Sequence, residues 1–273
     1  MKKAKPKIAV TGAEGFLGSA IVKKLRVEKI PFDTFDLKKH NLLKPTTLKS
    51  LVINKDVIIH LAAINRGENM ELCKVNIMGT LSLLEAASKY APTSKIIFAS
   101  SFQVYLNDSI YGLTKKTSED LILNYVKKSG LKAIILRLSN VYGPGGRPFY
   151  NSVIATFVHL IKTGQTLKIN GDGSAKRDFI YVDDVAKAFI KAAITDVKKT
   201  EIIDICSGKE ISLNQILKIL KKASRKKVEI LYNEAVVEKP WPTTHKNYKL
   251  AKKLLYWEPK INLEKGLTAT ING

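Results

Sequence analysis

Lys7 to Gly18 reads KIAVTGAEGFLG, a short apolar run that ends in three glycines spaced three apart. Ile8, Ala9 and Val10 have the character of a buried strand, and Phe16, Leu17, Ala20, Ile21 and Leu25 recur as the apolar face of a helix that follows at once. Between the two the backbone must turn sharply. Gly12 supplies the turn, Gly15 lets the main chain approach a ligand with no Cβ in the way, and Gly18 lets the helix sit close on the sheet. The N–H groups of the first helical turn then face outward, where they suit the phosphates of a dinucleotide. The G-x-x-G-x-x-G spacing is one residue longer than the commoner G-x-G-x-x-G. A tight turn with close strand and helix packing accounts for the same glycines, so the residues downstream must decide between the two.

Phe32 to Phe35 reads as a second strand closed by Asp36, 18 residues beyond Gly18. A carboxylate there accepts hydrogen bonds from both ribose hydroxyls of NAD and repels a 2′-phosphate, while Lys38 and Lys39 soften that preference towards NADP. Asp56 to Ile64, DVIIHLAAI, is a third apolar run, and its small Ala62 and Ala63 let a cofactor lie against the strand end. Met70 to Tyr90 has helical periodicity and contains Asn76. Lys95 to Ser101 is a strand ending in hydroxyls, a helix runs on from Tyr111, and Lys132 to Leu138 is one more buried strand before SNVYGPGGRP, whose glycines and prolines end regular structure. Strands alternating with helices at this spacing imply right-handed βαβ units, and therefore a doubly wound, mostly parallel sheet of the Rossmann kind. Beyond it the pattern loosens. Phe149 to Ile161 reads as a helix, Thr166 to Ile169 and Ile202 to Ile205 as short strands, and Ser212 to Ala223 as a helix capped by Ser212, with a tail of short elements through Trp241 and Trp257.

Composition limits the function classes. With 45% apolar and 26% charged residues among 273, the chain can bury a full core. The basic start is followed by too short an apolar run for a signal peptide, and Val57 to Ile64 is far too short to span a bilayer, so a cytoplasmic protein without a membrane partner is expected. Cys73 and Cys206 lie far apart without C-x-x-C spacing, which argues against a disulfide framework and against a metal site. The formal charge of +22 invites a nucleic-acid reading, but 40 of the 46 basic residues are lysines scattered along almost every predicted helix. That is a solvated surface rather than a polyanion groove. His60 in its apolar strand reads as a packed core histidine, and Asp183 with Asp184 as carboxylates at a helix N-terminus rather than metal ligands.

Tyr111 and Lys115 stand four apart on a predicted helix, hence on one face, offset by about 40° and about 6 Å along the axis. A nearby ammonium favours phenolate and lowers a tyrosine from its usual value of about 10, as a general base for an alcohol requires. Tyr248/Lys252 and Tyr256/Lys260 share the spacing, but only Tyr111 follows a buried strand ending in Ser100 and Ser101. A hydroxyl such as Ser101 would hydrogen-bond the reacting oxygen, which completes a set able to move a proton while nicotinamide moves a hydride.

TGAEGFLG, HLAA, ASSFQVY, YGLTK, RLSNVYGPG and RDFIYVDDVA, in this order along nearly the whole chain, resemble the extended short-chain dehydrogenase/reductases of the NAD-dependent epimerase/dehydratase family, which modify nucleotide sugars. The resemblance implies an NAD(P)-binding Rossmann domain (residues 1–145 plus 178–206) and a small, discontinuous C-terminal nucleotide-sugar domain (146–177 plus 207–273). It implies a catalytic set of Ser101, Tyr111 and Lys115. Cofactor contacts would come from Gly12, Gly15, Phe16, Leu17, Gly18, Asp36, Leu61, Ala62, Ala63 and Asn76 together with Tyr111 and Lys115, the cofactor being NAD with NADP as the alternative. Asn140 and Arg177 would contact the nucleotide diphosphate, and a homodimer through the helices of residues 70–90 and 114–128 is common in the family. Dehydratases of the family carry acidic residues where this chain has Phe102 and Gln103, which disfavours dehydration. The ten-residue interval from Ser101 to Tyr111, with NRGEN, SSFQ, NDSIYG and RPFYNSVIATF, is similar to the branch that reduces a 4-keto sugar on the way to UDP-N-acetylfucosamine for capsular polysaccharide. Arg66, Arg147 and Tyr150 would then touch the substrate. GDGSAKRDFIYVDDVA lies nearer the epimerase pattern, and Asp36 suits the NAD that epimerases retain. The expectation is hydride transfer at C4 of a UDP- or dTDP-linked hexose, leaning to 4-keto reduction, with 4-epimerisation as the alternative and a non-catalytic polyanion-binding scaffold as a distant third.

Overall fold

The computed structural model describes residues 4–36, 38–106, 108–150, 152–234 and 248–273. Asn107, Asn151 and Trp241, which fall in stretches singled out from sequence, lie outside them.

The opening apolar run forms β1 (Ile8–Thr11), and the glycine turn delivers the chain into α1 (Phe16–Val27), whose buried stripe is Gly18, Ile21, Val22 and Leu25. β2 (Phe32–Thr34), a short α2 (Lys49–Val52) and β3 (Val57–His60) follow. The helix expected over Met70–Tyr90 forms, as α3 (Asn69–Cys73) and α4 (Gly79–Tyr90) joined without a break by a π turn over Lys74–Met78. Then come β4 (Lys95–Ser101), α5 (Ile110–Lys128) and β5 (Lys132–Leu138). The second half contains β6 (Asn140–Tyr142), α6 (Val153–Thr163), β7 (Leu167–Asn170), β8 (Lys176–Tyr181), α7 (Val182–Ile194) and β9 (Glu201–Ile205). It ends with β10 (Glu210–Ser212), α8 (Leu213–Ser224), β11 (Ile230–Asn233), α9 (Tyr248–Leu255) and α10 (Leu263–Asn272).

Six strands make one sheet in the order β2-β1-β3-β4-β5-β9, every neighbouring pair parallel. β1 and β3, and the apolar stretches of β4 and β5, are buried on both faces, as strands covered by helices on both sides are. Ala9, Ile58, Ile96, Phe98 and Ile135 pack with Leu83, Leu84 and Ala87 of α4 and Ile122 of α5. The alternate residues Ile8, Val10, Ile59, Ile97 and Ile134 are just as deeply buried. The strand order reverses between β1 and β3, and the crevice at the carboxyl ends of such a pair is where open α/β sheets bind ligands.

The chain divides into two compact units. Unit 1, holding this sheet, comprises Met1–Leu138, Ala186–Ile205 and Lys246–Trp257, and unit 2 comprises Ser139–Val185, Cys206–His245 and Glu258–Gly273. Unit 2 contains a three-stranded sheet, β10-β8-β6, and a parallel pair, β11-β7. Its core joins Ile154, Phe157 and Ile161 of α6 to Ile216, Leu217 and Leu220 of α8 and to Leu267 and Ile271 of α10. α6 starts four residues later than Phe149. The Ser152 Oγ accepts from the Ala155 N–H as an N-cap, and Phe149 has a positive φ of 59°. At α8 the expected Ser212 cap forms a full capping box with Gln215.

Candidate active site

At the carboxyl end of β1, Gly12 has φ +70°, and a Cβ there would lie 2.8 Å from the Ala62 nitrogen, so the loops after β1 and β3 touch through this glycine. Thr11 fastens the same two loops: its Oγ1 accepts from the N–H groups of Leu61 and Ala62, both at 3.2 Å, and meets His60 Nδ1 at 2.8 Å. Gly18 packs α1 onto the turn. Gly15 is the N-cap of α1, and no side chain caps the first turn of Phe16 and Leu17. A Cβ at Gly15 would meet only the Gly12 carbonyl oxygen, at 3.3 Å, within 4 Å. The space over the helix end is therefore open, as a dinucleotide pyrophosphate requires.

Asp36 lies just beyond β2, beside β1 through the Phe35 N–H to Val10 O bond of 2.8 Å. Its Oδ1 accepts from the Lys38 N–H at 2.9 Å, and Lys39 Nζ stands 3.9 Å from Oδ2. That ion pair is solvent-exposed and holds the carboxylate weakly. Leu61, Ala62 and Ala63 are half-buried after β3. Asn76 is 2% exposed, and the π turn carries its amide onto the main chain of Ile64, accepting from its N–H at 2.9 Å and donating to its oxygen at 2.8 Å. Its other N–H donates to Thr114 Oγ1 at 3.0 Å. Asn76 thus sits behind the loop after β3 and positions it.

Ser101 ends β4, and its Oγ accepts from the Gln103 N–H at 3.2 Å, leaving its own O–H to donate. Ser109 caps α5 by accepting from the Gly112 N–H. Tyr111, half-buried, and Lys115, 3% exposed, lie in the first turns of that helix. The Lys115 Nζ donates to Ala99 O at 2.8 Å and sits 4.8 Å from the Phe98 ring centroid and 5.9 Å from that of Tyr111. Burial pulls Lys115 down to about 8, with Glu119 opposing the fall. His60 is packed as expected: its Nε2 meets Thr80 Oγ1 at 3.0 Å, and burial, aided by the Lys115 charge, lowers it to about 3 and keeps it neutral.

Arg66 is exposed in the loop after β3, in unit 1. The other expected substrate contacts belong to unit 2. Asn140 opens β6 and donates to Asp178 O at 2.9 Å; Arg177 is half-buried on β8; Arg147 is exposed, its guanidinium carbon 6.0 Å from the Tyr150 ring centroid. Asp184 accepts from the N–H groups of Lys260 and Ile261 and is a structural carboxylate. Among the described residues no group of three His, Cys, Asp or Glu side chains is placed to hold a metal.

The model of the NAD dependent epimerase/dehydratase family matches residues 8–206. The chain belongs to this family. A UDP-glucuronate 4-epimerase of Thermodesulfobacterium geofontis is 35% identical, covering 90% of this chain and 79% of the relative. A UDP-2-acetamido-2,6-beta-L-arabino-hexul-4-ose reductase of Pseudomonas aeruginosa is 36% identical over 68% of this chain and 49% of the relative. A UDP-glucose 4-epimerase of Thermotoga maritima, solved with UDP-glucose, superposes with a TM-score of 0.86 at 28% identity, covering 97% of both chains. The fold is the α/β Rossmann architecture of these nucleotide-sugar enzymes. No described helix is long and apolar enough to cross a membrane.

Where dehydratases of the family carry acids, this member has Phe102, 2% exposed, and Gln103, whose Oε1 accepts from Ser109 Oγ at 2.7 Å and so supports the cap of α5. Sequence reasoning missed Thr11, the loop fastener, and Glu119, a buried carboxylate one turn beyond Lys115. The spacing 111, 115, 119 on one helix face was the available signal for Glu119. It also missed Asp178, which is 4% exposed and accepts from Ser139 Oγ and from the N–H groups of Ser207 and Lys209.

Proposed function

We propose that the chain is an NAD(P)-dependent oxidoreductase that transfers hydride at C4 of a UDP-linked hexose, working first as a 4-keto sugar reductase of surface-polysaccharide biosynthesis. The observation that carries this reading is the buried Lys115, held by the Ala99 carbonyl beside Tyr111 at the carboxyl edge of β4. A lysine desolvated there, next to a phenol, has a chemical use that an inert packing residue lacks.

A bound nicotinamide cofactor supplies the hydride. The first turn of α1, opened by Gly15, would hold its pyrophosphate and Asp36 its ribose, with Gly12 and Gly18 shaping that turn and Leu61, Ala62 and Ala63 lining the strand end. Tyr111 donates the proton to the nascent C4 alkoxide, and Ser101 donates a hydrogen bond to the same oxygen. Lys115, cationic below about 8, stabilises the phenolate left behind. Asn140 and Arg177 take the diphosphate, and Arg66, Arg147 and Tyr150 are proposed sugar contacts. Arginine suits phosphate oxygens through its bidentate donors.

Epimerisation at C4 is the second reading, favoured by the UDP-sugar 4-epimerases that match this chain over nearly its whole length. The purified protein, analysed for co-purifying cofactor and incubated with UDP- and dTDP-sugars and their 4-keto forms, separates the two. Net consumption of NADH or NADPH on a 4-keto sugar is the expected result, with NADH preferred because of Asp36. Interconversion of C4 isomers without net consumption would establish the epimerase, and silence on every substrate would sink both.

The protein is proposed to work as a homodimer. Met70 of α3, Met78 of the π turn and Leu113 of α5 are exposed apolar side chains on unit 1. Light scattering is expected to give twice the chain mass, and a Met70→Glu/Leu113→Glu variant to give the chain mass; a monomeric native protein would refute the dimer.

A further inference from the structure

Behind the reacting edge of the sheet lies a row of buried and half-buried polar groups that the proposed chemistry does not use. Ser100 of β4, Arg137 of β5 and Asp204 of β9 are register partners across three adjacent strands, one on from the next. Glu119, 1% exposed, closes the row from α5: its Oε1 accepts from Ser100 Oγ at 2.5 Å and Arg137 Nε at 2.9 Å, and its Oε2 from an Arg137 terminal N–H at 2.6 Å. Tyr105 covers the other side of Arg137, its ring centroid 4.7 Å from the guanidinium carbon, and donates to Asp204 Oδ1 at 2.8 Å. Arg137 and Glu119 form an ion pair at 2.6 Å, with Lys115 one helical turn before Glu119 and Asp204 beside Arg137 in register.

A buried ion pair of this kind contributes little net stability over apolar residues of the same size, so its presence calls for another role. We infer that Glu119, clamped by Arg137 and Ser100, is a positioning residue that keeps Lys115 cationic from one helical turn away and fixes the strand end that carries Ser101. The inference rests on the reading of Lys115 and Tyr111 given above. The groups facing Lys115 are Tyr111 and Glu119 on its own helix, the Phe98 ring and Ala99 carbonyl from β4, and His60 from β3. His60 is neutral, so Glu119 is the nearby negative charge in this set. Its influence on Lys115 is upward, against the larger effect of burial.

The test follows the charge on Lys115 directly. Nitrogen-15 lysine NMR, with the Lys115 resonance assigned by its loss in Lys115→Met, gives its titration midpoint in the native protein, in Glu119→Gln and in Glu119→Gln/Arg137→Met. The double variant removes both members of the ion pair and leaves no stranded guanidinium, so it keeps the test open where the single variant fails to fold. The midpoint is expected to fall by on the order of one pH unit in Glu119→Gln and by a smaller step in the double variant, where loss of the Arg137 charge offsets part of the loss of the carboxylate. The alkaline limb of the kcat profile is expected to move down with it. An unmoved midpoint in a folded variant overturns the inference, whatever the turnover. Native protein silent on every sugar nucleotide would instead overturn the proposed function, and the midpoint would still be read.

Discussion

Tyr111→Phe is expected to lower turnover on a 4-keto sugar nucleotide by about 10²–10⁴-fold while leaving cofactor affinity and thermal stability close to native. The structural reason is local. Tyr111 is half-buried in the first turn of α5, and the start of that helix is set by the Ser109 cap on the Gly112 N–H and by the Gln103 amide. Losing the hydroxyl therefore removes the proton donor and leaves the helix, Lys115 and the glycine loop where they were. Rate is read by chromatography of the sugar nucleotides, and cofactor binding by nicotinamide fluorescence. A variant that keeps more than a tenth of native turnover would show that the proton comes from elsewhere. The distant scaffold reading predicts something different: salt-sensitive binding to a polyanion that is indifferent to Tyr111, with no turnover in the native protein to lose.

The long strands were legible because a parallel sheet buried on both faces writes itself as uninterrupted apolar runs, and β1, β3, β4 and β5 are such runs. The β1 glycine turn was legible for the same reason, since it interrupts one of them. β6 and β10 were not legible. Each is three residues long, and β6 is hemmed by the glycines and prolines that ended regular structure in the sequence reading. The π turn in the segment of residues 69–90 was hidden because one wide turn hardly disturbs the apolar period on either side, yet it is what carries Asn76 onto Ile64. The site divides in the same way. Tyr111 and Lys115 were readable as a helical pair after a strand, whereas the Glu119, Arg137 and Asp204 row is assembled across α5, β5 and β9, and no sequence spacing records which strand will lie beside which.

Gly18→Ala is expected to destabilise the protein by about 1–3 kcal/mol despite the better helix propensity of alanine, because overpacking against backbone cannot be relieved by a rotamer change. A Cβ at Gly18 would lie 2.0 Å from the Gly12 oxygen and 2.8 Å from the Ala13 Cα, so either α1 or the whole turn must shift. Cofactor affinity would fall with it, since the same shift moves the first-turn N–H groups off the pyrophosphate. Gly15→Ala separates the two effects. Its Cβ meets only the Gly12 oxygen, at 3.3 Å, and otherwise enters open space. If that space is where the phosphates lie, Gly15→Ala weakens dinucleotide binding by roughly tenfold or more, equivalent to about 1.4 kcal/mol, with a melting temperature near native. Thermal unfolding and a fluorescence titration on both variants decide the matter. Gly15→Ala with native affinity would mean that the opening over α1 is empty for some other reason, and the glycine turn would then be packing alone.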